Sequence, residues 1–333
     1  MNGHALKRLL KAKEFLLIII TLAIIVLFYC VNKNYLSTDS LRGIMQAMSI
    51  TGIMSIGVAY LLIGGGIDLA TSLECLFAGV LTAILIVKLG ISWPVACLIT
   101  LLVSAFIGWL NAVMITRLGM MPFISTIAVS SVLTGVNLAL TNSQNTPIPV
   151  ESFWWGGGTL AKIFPVPFVI MIVLLLIGGF ILKKTQFGRN IYLVGGNQQA
   201  ARLSGINPAR VRTYLYIINA VMAGFSGIVL ASRMHTASPS SLSDAQMDAI
   251  TASVLGGIAF TGGAGGMLGC FIGILLLNFF SAGLNMLALE SYWSTISSGV
   301  LLVIALTVDY LNERSRERLL KTKPAIAAKE ASK

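Results

Sequence analysis

The sequence is poor in charge. Only 11% of its 333 residues are Asp, Glu, Lys or Arg, against about 25% in an average soluble domain. With 56% hydrophobic residues and a mean hydropathy of +0.88, it cannot cover a water-exposed surface with polar groups, which excludes a soluble globular protein. Histidine is scarce: His4 and His235 lie far apart and near no cluster of ligand-like residues. The four cysteines, Cys30, Cys75, Cys97 and Cys270, lie in or beside apolar runs without CxxC spacing, which argues against a metal or redox role. No Gly-Lys pair occurs, so the chain has no GxxxxGK[ST] phosphate loop and no nucleotide motor of its own. A cleavable signal is also missing. Lys7, Arg8, Lys11 and Lys13 lead into a long apolar run without a small-residue cleavage site, the pattern of a signal-anchor span. No cofactor is indicated, and no residue is placed for covalent chemistry.

What is present is a series of apolar runs, each about the 20 residues that a bilayer-crossing helix requires. The pattern predicts an all-α, polytopic integral membrane protein with about ten transmembrane helices, some broken or re-entrant, forming one domain over residues 1–333. The spans fall near 15–32, 43–63, 69–88, 93–116, 121–141, 163–182, 213–232, 246–260, 267–287 and 292–310. Pro122 suits a first helical position, where a missing N–H costs little. Trp154 and Trp155, in the polar segment 141–158, suit a membrane interface.

The net charge of +11 could point to nucleic acid, but basic residues collect in the cytoplasmic loops of membrane proteins, and that reading is preferred. With ten spans and the N-terminus inside, 18 of the 23 Lys and Arg residues fall on the cytoplasmic side. They lie in the start (1–14), at Arg117, in the loop 183–212 and in the tail (311–333). This bias predicts that both termini are cytoplasmic.

The loop 183–212 holds six basic residues and no acidic one. Asn197 is placed to cap a short helix over 198–204, and Gly205 sits where a helix-ending glycine belongs. Asn207-Pro208 then opens the next helix. A helix of about two turns is unstable alone, and Ala200, Ala201, Leu203 and Ile206 offer it an apolar packing face.

Three further features carry possible chemistry. In Gly64-Gly65-Gly66-Ile67-Asp68-Leu69, Asp68 interrupts an apolar sequence. It reads either as part of a helix break lining a path or gate, or as a cytoplasmic turn held by the N–H groups of the next helix. Gly256-Gly257 and the run to Gly273 read chiefly as packing: Gly265, Gly269 and Gly273 are spaced four apart, as are Ala220/Gly224 and Gly227/Ala231. A gate or hinge is the sharper alternative. The polar residues within spans are Asn111, Thr126, Ser130, Asn137, Asn219, Asn278 and Asn285. Each serves either interhelical bonding or the lining of a path for a hydroxyl-rich solute. Asn111 and Phe123 are the chosen path candidates.

Residues 199–205 read Q-A-A-x-x-x-G, close to the E-A-A-x-x-x-G signature of permease subunits in bacterial ATP-binding-cassette (ABC) importers. TQFGRNIYLVGGNQQAARLSGIN resembles the same loop of the ribose-type carbohydrate permeases, in the branched-chain/monosaccharide permease superfamily. The likeness extends to Gly65-Gly66-Ile67-Asp68-Leu69, Pro122-Phe123-Ile124 and Asp248-Ala249-Ile250 with the glycines that follow. It implies that Gly195, Asn197, Gln199, Ala200, Ala201, Arg202, Gly205 and Asn207 form a coupling helix that docks on a cytoplasmic ATPase. The chain departs from the signature with Gln199 in place of glutamate, and with Ala70-Thr71-Ser72-Leu73-Glu74 after Asp68. The resemblance further implies a bacterial inner-membrane protein that imports a monosaccharide or related solute. Its implied partners are a separate ATPase, a second permease subunit, a periplasmic or lipid-anchored binding protein and the bilayer. The rival reading is an ion-gradient-driven secondary transporter using Asp68, Glu74 and Glu290.

Overall fold

The computed structural model describes residues 13–149, 155–160, 163–242, 245–287, 292–293, 295–307 and 310. The start up to residue 12, the tail 311–333, Trp154, Lys162, Asp244 and Glu290 lie outside the described residues.

Among the described residues, six helices are long and apolar enough to cross a membrane: α2 (Thr38–Ile63), α4 (Trp93–Thr116), α5 (Pro122–Thr141), α6 (Val166–Lys184), α9 (Pro208–Met234) and α11 (Met267–Met286). Shorter apolar helices are α1 (Lys13–Val31, apolar from Phe15), α3 (Thr71–Val87) and α12 (Thr295–Thr307). Three more helices are shorter still: α7 (Gln186–Gly196), α8 (Gln198–Leu203) and α10 (Ala245–Leu255). The protein is an integral membrane protein of mainly helical structure. One expectation needs correction. The stretch 246–260 does not form a spanning helix: α10 has eleven residues, about 16 Å at 1.5 Å per residue, roughly half the hydrocarbon thickness. The glycines from Gly256 onward end it early. Gly257 has φ +85°, and its N–H and that of Ile258 close the last turn onto Val254 and Ser253.

The centre of the bundle is α2 and α9, 26 and 27 residues long and packed on each other; α9 also packs on α3 and α4, and α2 on α6, α10 and α11. Small and polar residues let several of these helices approach closely, as suits a bundle without water to drive apolar association. On α4 the buried positions are Ala96, Thr100, Ser104, Gly108, Asn111, Ala112 and Ile115, a narrow stripe, while Leu98, Leu102, Phe106 and Trp109 are exposed. Thr100 meets Thr82 of α3 at 2.9 Å, Ser226 of α9 donates to the Ile50 carbonyl at 2.8 Å, and Tyr60 donates to the Gly178 carbonyl at 2.7 Å. The four-residue glycine spacing is packing. A Cβ on Gly227 would overlap the Cys75 carbonyl, and one on Gly224 would overlap Ser104. Cβ atoms on Gly269 and Gly273 would overlap the carbonyls of Gly256 and Ala252.

The connections sort into two ends. At one, β1 (Thr146–Pro147) pairs with β4 (Thr236–Ala237), the Gly156 N–H bonds Ser232, and Lys88 reaches the Leu140 carbonyl. A second strand pair, β2 (Thr159–Leu160) with β3 (Phe164–Pro165), leads into α6. At the other end, the α2–α3 break, the 185–207 segment and the α10–α11 connection touch one another. This grouping matches the one that the charge distribution assigns to each side of a membrane.

Replacing Gly227 by Val should cost about 1–3 kcal/mol through overpacking against backbone. It should lower the unfolding temperature of the detergent-solubilised protein by several degrees. Gly135→Val, at a position with open space around it, should leave that temperature unchanged.

Candidate functional site: the loop helix and the glycine breaks

The polar segment between α6 and α9 folds as two consecutive helices. Thr185 caps α7 by accepting the Gly188 N–H at 3.1 Å. Sequence reasoning missed α7, although Phe187, Ile191 and Val194 recur at helical spacing; Ile191 and Val194 are buried. Asn197 ends α7 and starts α8, its Oδ1 accepting the N–H groups of Gln199 and Ala200 at 2.9 and 3.0 Å. Gly205, with φ +78°, follows the last turn of α8. Its N–H bonds the Arg202 carbonyl and that of Ile206 bonds Ala201, both at 3.0 Å, a Schellman closure. Asn207 caps α9 through the Arg210 N–H at 3.1 Å, with Pro208 in its first turn.

The packing face of α8 is smaller than its sequence suggests. Ala201 is buried and Ile206 is partly buried against the core, but Ala200 is exposed and Leu203 is 86% exposed. In so short a helix the residues beside Ala201 turn outward. Leu203, with Gln198, Gln199, Ala200 and Arg202, forms a free surface whose centre is apolar.

Behind this surface the backbone enters a three-way junction. Gly195 lies so close to the end of α2 that a Cβ there would overlap the Ile63 carbonyl, and it would stand 2.7 Å from the Gly263 nitrogen. The Gly263 N–H donates to that same Ile63 carbonyl at 2.8 Å. A Cβ on Gly262 would be 2.9 Å from both the Gly195 oxygen and the Gly65 Cα. Both Gly65 (φ +71°) and Gly263 (φ +74°) use the left-handed backbone that glycine permits. Side chains of the loop and of α9 reinforce the junction. Tyr192 donates to the Gly265 carbonyl at 2.8 Å, Arg212 to Gly65 at 3.3 Å and Tyr216 to Ile67 at 3.0 Å. Partial burial raises the Tyr192 phenol above its ordinary range.

Asp68 lies in the turn before α3 and is buried there, 3% exposed. Its Oδ1 accepts the Ala70 N–H at 2.8 Å, and its Oδ2 accepts Asn219 Nδ2 at 3.1 Å; that amide also lies 2.9 Å from Thr71 Oγ1. Glu74, in the first turn of α3 and 1% exposed, receives the Asn111 amide at 3.4 Å. Both acids lie at the start of α3, Asp68 just before its first turn and Glu74 within it, and both are buried there, tying α3 to α9 and α4. Asn111 is thus buried in a polar contact, whereas Phe123 is 59% exposed in the first turn of α5, and the two do not form a common lining. Gly256 sits against Gly269, and Gly257 ends α10. Among the described residues no group of three His, Cys, Asp or Glu side chains could hold a metal ion.

Asn197→Ala removes the acceptor for two first-turn N–H groups and should destabilise α8 by about 1 kcal/mol. Hydrogen exchange at Gln199 and Ala200 should then speed up about fivefold.

Residues 40–306 match the family described as "Branched-chain amino acid transport system / permease component". The ribose import permease protein RbsC of Escherichia coli (strain K12) is 32% identical over 305 residues, covering 90% of this chain and 94% of its own. RbsC of Bacillus subtilis (strain 168) is 31% identical, covering 86% and 89%. The xylose transport system permease protein XylH of Haemophilus influenzae is 27% identical, covering 90% and 96%. No solved structure matches the chain. A profile matched across most of its length, and relatives aligned almost end to end, show that the chain belongs to the branched-chain amino acid transport system permease family.

Proposed function

We propose that the chain is the membrane permease subunit of an ABC importer that brings a monosaccharide or related small polar solute into the cytoplasm. The observation that carries this reading is the construction of the 185–207 segment. It presents a capped helix with an exposed leucine on one side, and its glycines lie against both helix breaks on the other. The chain has no phosphate loop, so the motor is a separate ATPase, and α8 is its docking element. Gln199, Ala200, Arg202 and Leu203 meet the partner. Asn197, Gly205 and Asn207 shape the helix, Ala201 anchors it, and Gly195 passes its displacement to Ile63 and Gly263.

The relatives named as ribose and xylose permeases supply the solute class. A second permease subunit completes the pathway, and a periplasmic or lipid-anchored binding protein delivers the solute. Residues 1–333 form one transmembrane domain in the bacterial inner membrane, with both termini cytoplasmic. The ten-crossing topology is kept by counting the chain from β4 through α10 as one crossing. β4 lies at the end of the bundle opposite Gly262 and Gly263, so the chain between them crosses it, with α10 making part of the way. Ser72 fastens the segment before α10 by donating to the Leu242 carbonyl.

In the working cycle, ATP-driven closure of the ATPases draws α8 inward and biases the bundle toward the outward-facing state. Hydrolysis then releases it. Only a contact that differs between the two states can shift such an equilibrium. Asp68, Gly256 and Gly257 serve as fixed points of the two breaks, and Asn111 holds Glu74 beside them. Phe123 takes no part in this reading.

Uptake of labelled ribose and xylose into vesicles holding the assembled transporter should follow ATP with no ion gradient present. Uptake that follows a proton or sodium gradient and ignores ATP would sink the proposal. Leu203→Asp places a charge at the centre of the docking face while touching nothing inside the bundle. It should reduce ATPase association and ATP-driven uptake about tenfold or more, as loss of an interface anchor does. Membrane insertion should be unaffected.

A further inference from the structure

A groove with a volume of about 330 Å³ opens on the side of the bundle, between the C-terminal half of α6 and the start of α11. Its walls are apolar: Leu175, Leu176 and Phe180 on one side, Met267 and Leu268 on the other. The mouth differs in kind. Lys183 and Lys184 close α6 there, both exposed, and among the described residues no acidic one lines the groove. Tyr192 and the Gly265-Gly266 backbone complete the mouth, and no side chain caps the first turn of α11. The Tyr192 hydroxyl is already committed to the Gly265 carbonyl, so the positive groups left for a ligand are the two ammonium groups and the first N–H groups of α11.

A groove on the flank of the bundle that is apolar along its length and cationic at one end matches one class of molecule: an acyl chain carrying a negatively charged head. We propose that this groove is a binding site for an anionic phospholipid. One acyl chain lies along Leu175, Leu176, Phe180 and Leu268, and the phosphate sits between Lys183, Lys184 and the N-terminus of α11. The charge complementarity favours a lipid over a second copy of the chain, whose corresponding face carries the same two lysines. The site touches Tyr192 and Gly265, the contact that ties α7 to the α10–α11 break. A bound lipid therefore braces that contact from the bilayer side. The proposal does not depend on the solute or on the ATPase.

Native mass spectrometry of the full-length, delipidated protein tests it, with phosphatidylglycerol and phosphatidylcholine of identical acyl chains as the probes. Phosphatidylglycerol should bind at lower concentration than phosphatidylcholine. A Lys near an anionic lipid head is worth about fivefold in affinity, so Lys183→Gln with Lys184→Gln should weaken phosphatidylglycerol about 25-fold and leave phosphatidylcholine unchanged. Arg117→Gln removes an exposed basic residue at the end of α4 and should change neither. Equal binding of the two lipids overturns the proposal. So does an equal loss in the Arg117 variant, which would mean attraction to basic charge in general. Dimers that shed all phosphatidylglycerol would assign the groove to a second subunit and overturn it as well.

Discussion

Three stretches of backbone meet without side chains between them, and the order of one end of this bundle depends on that meeting. The Ile63 carbonyl, left free at the end of α2, takes the Gly263 N–H, and Gly195 lies close enough to both that a methyl group would not fit. An unpaired carbonyl in an apolar bundle costs several kcal/mol. The junction removes that cost by joining the two breaks to each other, and it joins the loop helices to both. The helix that faces outward and the segments that interrupt α2 and α10 thus form one mechanical unit.

The same economy of side chains operates through the bundle. α4 approaches α9 through alanine, threonine, serine and glycine while its large residues face outward, and Gly227 and Gly273 bring α9 close to α3 and α11 close to α10. Thr100, Ser226 and Tyr60 bond to backbone or to a neighbouring hydroxyl. Asp68 and Glu74 are more demanding, since a carboxylate away from water needs donors, and Asn219 and Asn111 provide these from α9 and α4. The α2–α3 break is therefore anchored to α9 and α4.

Much of this is legible in a linear reading, for local reasons. Hydropathy locates the long helices because each apolar run is set by the thickness of the bilayer, whatever its neighbours are. The caps of α8 are equally local: Asn197, Gly205 and Asn207-Pro208 act within a few residues of themselves. α7 was overlooked because glycine and polar residues mask its apolar positions. α10 was overextended because an apolar run does not record where the chain stops being helical. Leu203 was assigned to packing because, in a two-turn helix, spacing alone does not tell which apolar residue faces the bundle.

From the sequence alone come the membrane class, the approximate long spans and a capped helix in the basic loop. Each follows from composition or from contacts within one or two turns. The tertiary structure alone decided that Gly195 meets Ile63 and Gly263, that Asp68 and Glu74 are buried, and that Leu203 is free. Those outcomes depend on residues tens to more than a hundred positions apart. Glycine and aspartate look the same in a sequence whether they face water or another backbone, and only packing distinguishes the two.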